Sequence, residues 1–226
     1  MRGRLAVVEG LSLARRPHRE ADRVASVYTA EFGKVPVRFP GVDRPAGKLR
    51  PLAEPLVHGD YRIYVRPGAE YATAAGGALR TTYPSCRGSL TALMRGLGTL
   101  ELLDRLTPAW QPDPGKLALT LGALESLEAC AREGRPESAA WVYGAYALRL
   151  FEASGYGMAR RTVSEENRAL WVLLHEAPWD EVGALAPDAA RAGKLEALVA
   201  TTVERVAERP LKWMQVRDKV RERVGA

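Results

Sequence analysis

The sequence predicts an α+β protein in two parts, a small β-barrel or sandwich over residues 1–79 followed by an α-helical domain over 80–226. Three observations carry this. The first eighty residues break into short runs rich in Val, Leu, Ile, Tyr and Phe with Gly or Pro between them, the mark of a compact all-β module. Beyond them the runs lengthen to helix size and take on helical spacing. Charge divides at the same place. Up to Arg80, 14 Lys/Arg face 8 Asp/Glu, a net of +6 that equals the formal charge of the whole chain; from Thr81 onward 19 bases meet 19 acids.

Strands are expected at 4–9, 11–16, 23–29, 33–39, 52–57, 61–66 and 69–74, with turns at Gly10, Gly33, Pro40–Gly41, Pro45–Gly47, Gly59–Asp60 and Pro67–Gly68. Gly59–Asp60 ahead of the alternating Tyr61-Arg62-Ile63-Tyr64-Val65-Arg66 reads as a hairpin. Pro36 cannot donate to a ladder, so its strand belongs at an edge or a bulge. The pattern changes at Ala74-Ala75-Gly76-Gly77. Helices follow at 88–106, 114–133, 136–154, 164–176, 188–208 and 215–224. Asp113-Pro114 supplies a cap and a first-turn proline, and Thr162-Val163-Ser164-Glu165 has capping-box spacing. Leu195, Leu198, Val199, Thr202, Val203 and Val206 form one helical stripe. Residues 139–151 are apolar nearly all round, with Arg149 their one charge, so that helix belongs at the centre of the bundle.

Enzyme chemistry finds little support. His18, His58 and His175 lie in separate segments, Cys86 and Cys130 have no metal-ligand spacing, and no Gly-rich loop ends in Gly-Lys-Ser/Thr. Gly96-Leu97-Gly98 lacks a preceding strand and reads as helix packing. Neither Ser85 nor Ser89 sits in a nucleophile elbow. No catalytic residue, cofactor or metal is expected. No apolar run approaches the length of a membrane span and the N-terminus lacks a signal-peptide pattern, which makes the cytoplasm the expected compartment.

The bases are more informative. In 33–39, Lys34, Pro36 and Arg38 alternate with Val35, Val37 and Phe39, so one face is core and the other positive. Arg62 and Arg66 flank Tyr64 on one strand face, an aromatic between two cations. Basic faces with interleaved aromatics track phosphates and stack bases. The expected nucleic-acid contacts are Arg15, Arg16, Arg19, Arg23, Lys34, Arg38, Lys48, Arg50, Arg62, Tyr64 and Arg66. A barrel that binds RNA, or a scaffold that docks acidic proteins, would use the same charge. The C-terminal bases Arg205, Arg209, Lys212, Arg217, Lys219, Arg221 and Arg223 form a second strip, partly explained by the helix dipole.

Glu20-Ala21-Asp22-Arg23-Val24, Gly33-Lys34-Val35 and Gly47-Lys48-Leu49-Arg50-Pro51-Leu52 resemble the N-terminal part of the RecO family of recombination mediators. Leu100-Glu101-Leu102-Leu103-Asp104-Arg105-Leu106, then 148–157 ending in Gly155-Tyr156-Gly157, then Glu208-Arg209-Pro210-Leu211-Lys212, resemble its later landmarks in the same order. The resemblance implies an N-terminal oligonucleotide-binding (OB) barrel and a helical domain. It implies binding of single- and double-stranded DNA, strand annealing and, with RecR, loading of RecA onto DNA coated by the single-strand binding protein SSB. It also implies a site for the acidic SSB tail, for which Arg132 and Arg135 beside Leu124, Leu127 and Trp141 are the candidates.

In one respect the chain departs from the family, which commonly carries a four-cysteine zinc module after the Gly-Tyr-Gly position. Here Gly157 leads through Met158-Ala159-Arg160-Arg161-Thr162 to the next helix without a cysteine. A closed structural zinc site needs four converging ligands. Elemental analysis of the purified chain is therefore expected to find no stoichiometric zinc, and a chelator should leave Tm unchanged.

Overall fold

A computed structural model describes residues 3–45, 47–157, 163–207 and 210–224. The 158–162 junction, Arg209 and the side chain of Arg221 lie outside the described residues. The chain packs as two compact units, Met1–Tyr83 with Thr107–Leu117, and Pro84–Leu106 with Ala118–Ala226.

The first unit holds strands β1 (Arg4–His18), β2 (Asp22–Thr29), β3 (Gly33–Phe39), β4 (Val57–Val65) and β5 (Ala72–Thr81), closed as a barrel in the order β1-β2-β3-β5-β4. β1 pairs antiparallel with β2 and β4, and a short parallel junction of β3 with β5 completes the ring. That is the OB fold. Its interior is filled by Val8, Val27, Val35, Val37, Phe39, Tyr61, Ile63 and their neighbours. The alternation expected for 33–39 holds along β3, whose Val35, Val37 and Phe39 are fully buried. Tyr61 satisfies its hydroxyl inside the barrel by donating to the carbonyls of Leu52 and Val57 at 3.2 Å.

Several turn assignments give way. Gly10 does not divide two strands: β1 runs through it, with the irregularity at Leu13, between Ser12 and Ala14. Gly59–Asp60 is no hairpin, because both residues lie within β4. The segment 52–57 holds a 3-10 turn at Pro51–Ala53 instead of a strand. Ala74-Ala75-Gly76-Gly77 lies inside β5. At Gly10, Gly59 and Gly77 glycine serves close approach rather than reversal. A Cβ on Gly59 would sit 2.5 Å from the Ala78 carbonyl oxygen, and one on Gly77 2.4 Å from that of Asp60.

A strap, 107–117, lies against the outer side of the barrel. The Trp110 N–H donates to the Lys34 carbonyl at 2.9 Å, and Tyr28 donates to the Asp113 carbonyl at 3.4 Å. Gly33, at φ +66°, leaves so little room that a Cβ would come within 1.9 Å of the Gln111 oxygen. Burial under this strap raises the Tyr28 pKa to about 12, with the Asp113 charge adding to it.

The second unit contains α1 (Pro84–Gly88), α2 (Leu90–Leu106), most of α3 (Pro114–Arg132), α4 (Ala139–Ala153), α5 (Glu165–Glu176), α6 (Trp179–Ala184), α7 (Ala189–Ala207) and α8 (Lys212–Val224). The short α1 and α6 escape periodicity analysis because one or two turns show no stripe. α4 is central, buried from Ala139 through Leu148 and packed on α2, α5, α6 and α7. Its one base, Arg149, donates to the Leu174 and Ala177 carbonyls and stacks 4.4 Å from the Trp179 ring centroid. Gly98 does serve packing, since Trp213 fills the space a Cβ would need. Two distant carboxylates act as caps. Glu101 accepts the Lys212 and Trp213 N–H groups of α8, and Glu128 those of Ser85 and Cys86 in α1. No helix among the described residues is long and apolar enough to cross a membrane.

Cys86 is fully buried, and desolvation pushes its thiol from 9.0 to about 12. Between those values the unfolded chain has lost the proton and the folded chain keeps it. The unfolded state then binds fewer protons, so stability falls as pH rises above about 9. Urea titrations from pH 8 to 11 should show this fall, smaller in Cys86→Ala, and Cys86 should resist thiol reagents until the protein unfolds.

Candidate nucleic-acid interface

Barrel register decides which bases face outward together. On β3, Arg38 stands opposite Thr73 of β5, and Thr73 stands opposite Tyr64 of β4. Because their sequence neighbours Val37, Ala72 and Ile63 are core, the row Arg38–Thr73–Tyr64 lies outside. One step along β4, Arg62 faces Gly76 and, on the other side, the exposed Val7. The Arg66 guanidinium lies 5.3 Å from the Tyr64 ring centroid.

Of these, Val7, Arg62 and Gly76 line a groove of about 740 Å³, together with Lys48, Leu49, Asp60 and the small residues Ala75, Gly77 and Ala78 of β5. Small side chains leave the backbone approachable, and Lys48 and Arg62 set the sign of the field. The acid at the rim, Asp60, is held by Arg80 at 2.9 Å. Arg80 also pairs with Glu9, which in turn contacts His58 Nε2 at 2.8 Å. The hydrogen bond that Arg80 donates to Asp60, ahead of the Glu9 charge, raises the Arg80 pKa.

The remaining sequence candidates separate. Arg23 is committed at one end of the barrel, where Asp43 accepts from Nε at 2.9 Å and pairs with its terminal nitrogen at 2.7 Å, with Glu54 at 3.6 Å. Arg15 meets the same Glu54 at 2.9 Å. Arg16 donates to the Tyr71 hydroxyl at 2.9 Å and lies over its ring. Arg38 comes within 4.0 Å of Asp22. Arg19 occupies a turn at φ 56° and is exposed, as is Arg50 beside the 3-10 turn. Lys34 is half-buried, with the strap bridged to its backbone at Ala109. The row of positive charge expected on β3 is thus covered at its Lys34 end.

The proposed tail site does not assemble. Leu124 and Leu127 are fully buried bundle core, and Trp141, 3% exposed with its indole N–H donating to the Ala186 carbonyl, lines a different cavity, beside Leu170, Arg191 and Lys194. Arg135 donates to the Gly183 carbonyl and pairs with Glu133, as Arg132 does at 3.8 Å. The neighbouring cavity of about 280 Å³ sets Glu125, Glu133 and Asp180 against Arg135, a field that repels an acidic peptide. Arg217 of the C-terminal strip turns inward to Glu196, which Arg95 meets at 3.0 Å from the other side.

Residues 1–83 match the family model described as "Recombination protein O N terminal". The N-terminal domain is that of the RecO family. The chain's relatives include proteins named DNA repair protein RecO. That of Geobacter metallireducens is 32% identical over 120 residues, covering 53% of this chain and 48% of the relative. That of Desulfitobacterium hafniense is 28% identical over 148 residues, covering 66% and 51%. That of Frankia casuarinae is 32% identical over 158 residues, covering 67% and 60%. The chain thus spans about half the length of the first two relatives. The matched RecO model coincides with the barrel strands.

The RecO barrel therefore contains two kinds of arginine, and stability measurements should separate them. Arg23→Ala leaves Asp43 and Glu54 facing each other and is expected to cost about 1 kcal/mol in urea denaturation. Arg62→Ala, at an exposed position, should stay within about 0.5 kcal/mol of the parent.

Proposed function

We propose that this chain is a DNA-binding recombination mediator that acts in DNA repair and is not an enzyme. Its barrel is the nucleic-acid-binding domain, and the helical unit of Pro84–Leu106 and Ala118–Ala226, in place of the expected 80–226, is a second domain. In this reading it binds single- and double-stranded DNA, anneals complementary strands and, with RecR, helps load RecA onto SSB-coated DNA in the cytoplasm, at the chromosome. The observation that carries the proposal is the groove along β4 and β5, where Lys48 and Arg62 border small residues while Asp60 is neutralised by Arg80. Similarity to relatives named for DNA repair supports the pathway.

The contacts proposed are Lys48, Arg50, Arg62 and Arg66 to phosphates, Tyr64 to a base or sugar, and Arg38 at the edge. Phosphate contacts position a strand without reading its sequence. Arg15, Arg16 and Arg23 are already engaged within the barrel and contribute mainly to its field.

The test is a salt titration of a labelled single-stranded oligonucleotide by the full chain. Neutralising about four to five phosphates gives a log–log slope of roughly −3, at about 0.7 per phosphate. Lys48→Glu with Arg62→Glu should weaken binding to all sequences alike and flatten the slope. A salt-independent affinity, or a double variant that folds and binds like the parent, would falsify the groove assignment. A preference for RNA in competition would point to the RNA-binding barrel instead.

A further inference from the structure

We propose that Trp110 is a stacking platform for an unpaired nucleobase, extended by Phe32 and flanked by Arg4 for the adjoining phosphate. The proposal rests on the nucleic-acid reading of the barrel and adds to it a contact from outside the strands.

Trp110 is 37% exposed, while Trp141, Trp171 and Trp213 are each no more than 7% exposed. A single exposed aromatic needs no explanation by itself. Its backbone does. Trp110 holds φ 62°, a left-handed conformation that is an outlier for a bulky side chain. The strap maintains it through the N–H bond to the Lys34 carbonyl at 2.9 Å and through close contact of Gln111 with Gly33. Pro108 and Pro112 fix φ on either side and bias Thr107 and Gln111 to extended conformations. A rigid mount thus holds an indole at the surface, and a ring already immobilised loses little entropy on binding.

The surroundings fit a base with its backbone. Phe32 meets Trp110 edge to face at 6.5 Å between centroids, and the Arg4 guanidinium lies 5.2 Å from the Phe32 centroid. On the strap, Asp113 pairs with Lys116 at 3.5 Å, and the other acid near the ring pair in sequence is the exposed Glu31. Arg4 stands opposite Val65 and next to Leu5, which stands opposite Tyr64, so Arg4 and Tyr64 lie at the same end of the β1–β4 ladder. A strand leaving the groove past Tyr64 would meet Arg4 and then the aromatic pair.

The experiment compares the full chain and its Trp110→Ala and Trp110→Phe variants on two labelled probes of equal length, oligothymidylate and an oligonucleotide with abasic sites throughout. A stacked base contributes about 5- to 150-fold in affinity. Trp110→Ala should lose that factor on oligothymidylate and bind the abasic probe like the parent, and Trp110→Phe should keep most of the affinity. Urea denaturation of both variants checks that the strap stays seated. If Trp110→Ala matches the parent on both probes, or loses equally on both, the indole does not stack and the inference is wrong. A concentration-dependent dimer abolished by Trp110→Ala would overturn it in favour of a contact between copies. A parent that binds neither probe would instead remove the nucleic-acid reading beneath it.

Discussion

Two residue pairs, Val37 with Ala72 and Arg38 with Thr73, close the barrel. Without that parallel junction β3 and β5 would be edges, each a row of unpaired backbone groups open to another chain. With it, the strands have a fixed inside and outside, and the outward row of Arg38, Thr73 and Tyr64 is a direct result. Beyond the junction β5 runs along β4, where a Cβ on Gly77 would meet the Asp60 carbonyl oxygen and the Leu52 side chain. The backbone left bare on its outer side becomes the floor of the groove.

How much of this the sequence discloses depends on whether the signal is local. The alternation in 33–39 and the all-round apolarity of 139–151 are properties of consecutive residues, and both describe their elements correctly. Gly10, Gly59, Gly76 and Gly77 are different. Glycine marks a turn or a close approach equally well, and only the partner strand decides which. The Gly76–Gly77 stretch read as a change of architecture for that reason, although β5 runs through it to Thr81.

Charge shows the same limit. Nothing near Arg23 in sequence shows that Asp43 and Glu54 will meet it, and a count of bases treats it like Arg62. Glu196, beside the apolar stripe of α7, is 4% exposed and held between Arg95 and Arg217. Such a buried group is costly unless its partners are in place. It therefore ties α2, α7 and α8 to one arrangement, in a way that helical periodicity does not register.

The strap also sets an order of events during synthesis. The last strand of the barrel ends at Thr81, but Tyr28 reaches its partner only when Asp113 is made. At roughly 5–20 residues per second, the intervening chain takes about two to six seconds to appear. For that interval a nascent barrel shows water a tyrosine and a β2–β3 surface that the finished protein covers. The segment that mounts Trp110 thus arrives last, as a cover for a barrel already closed.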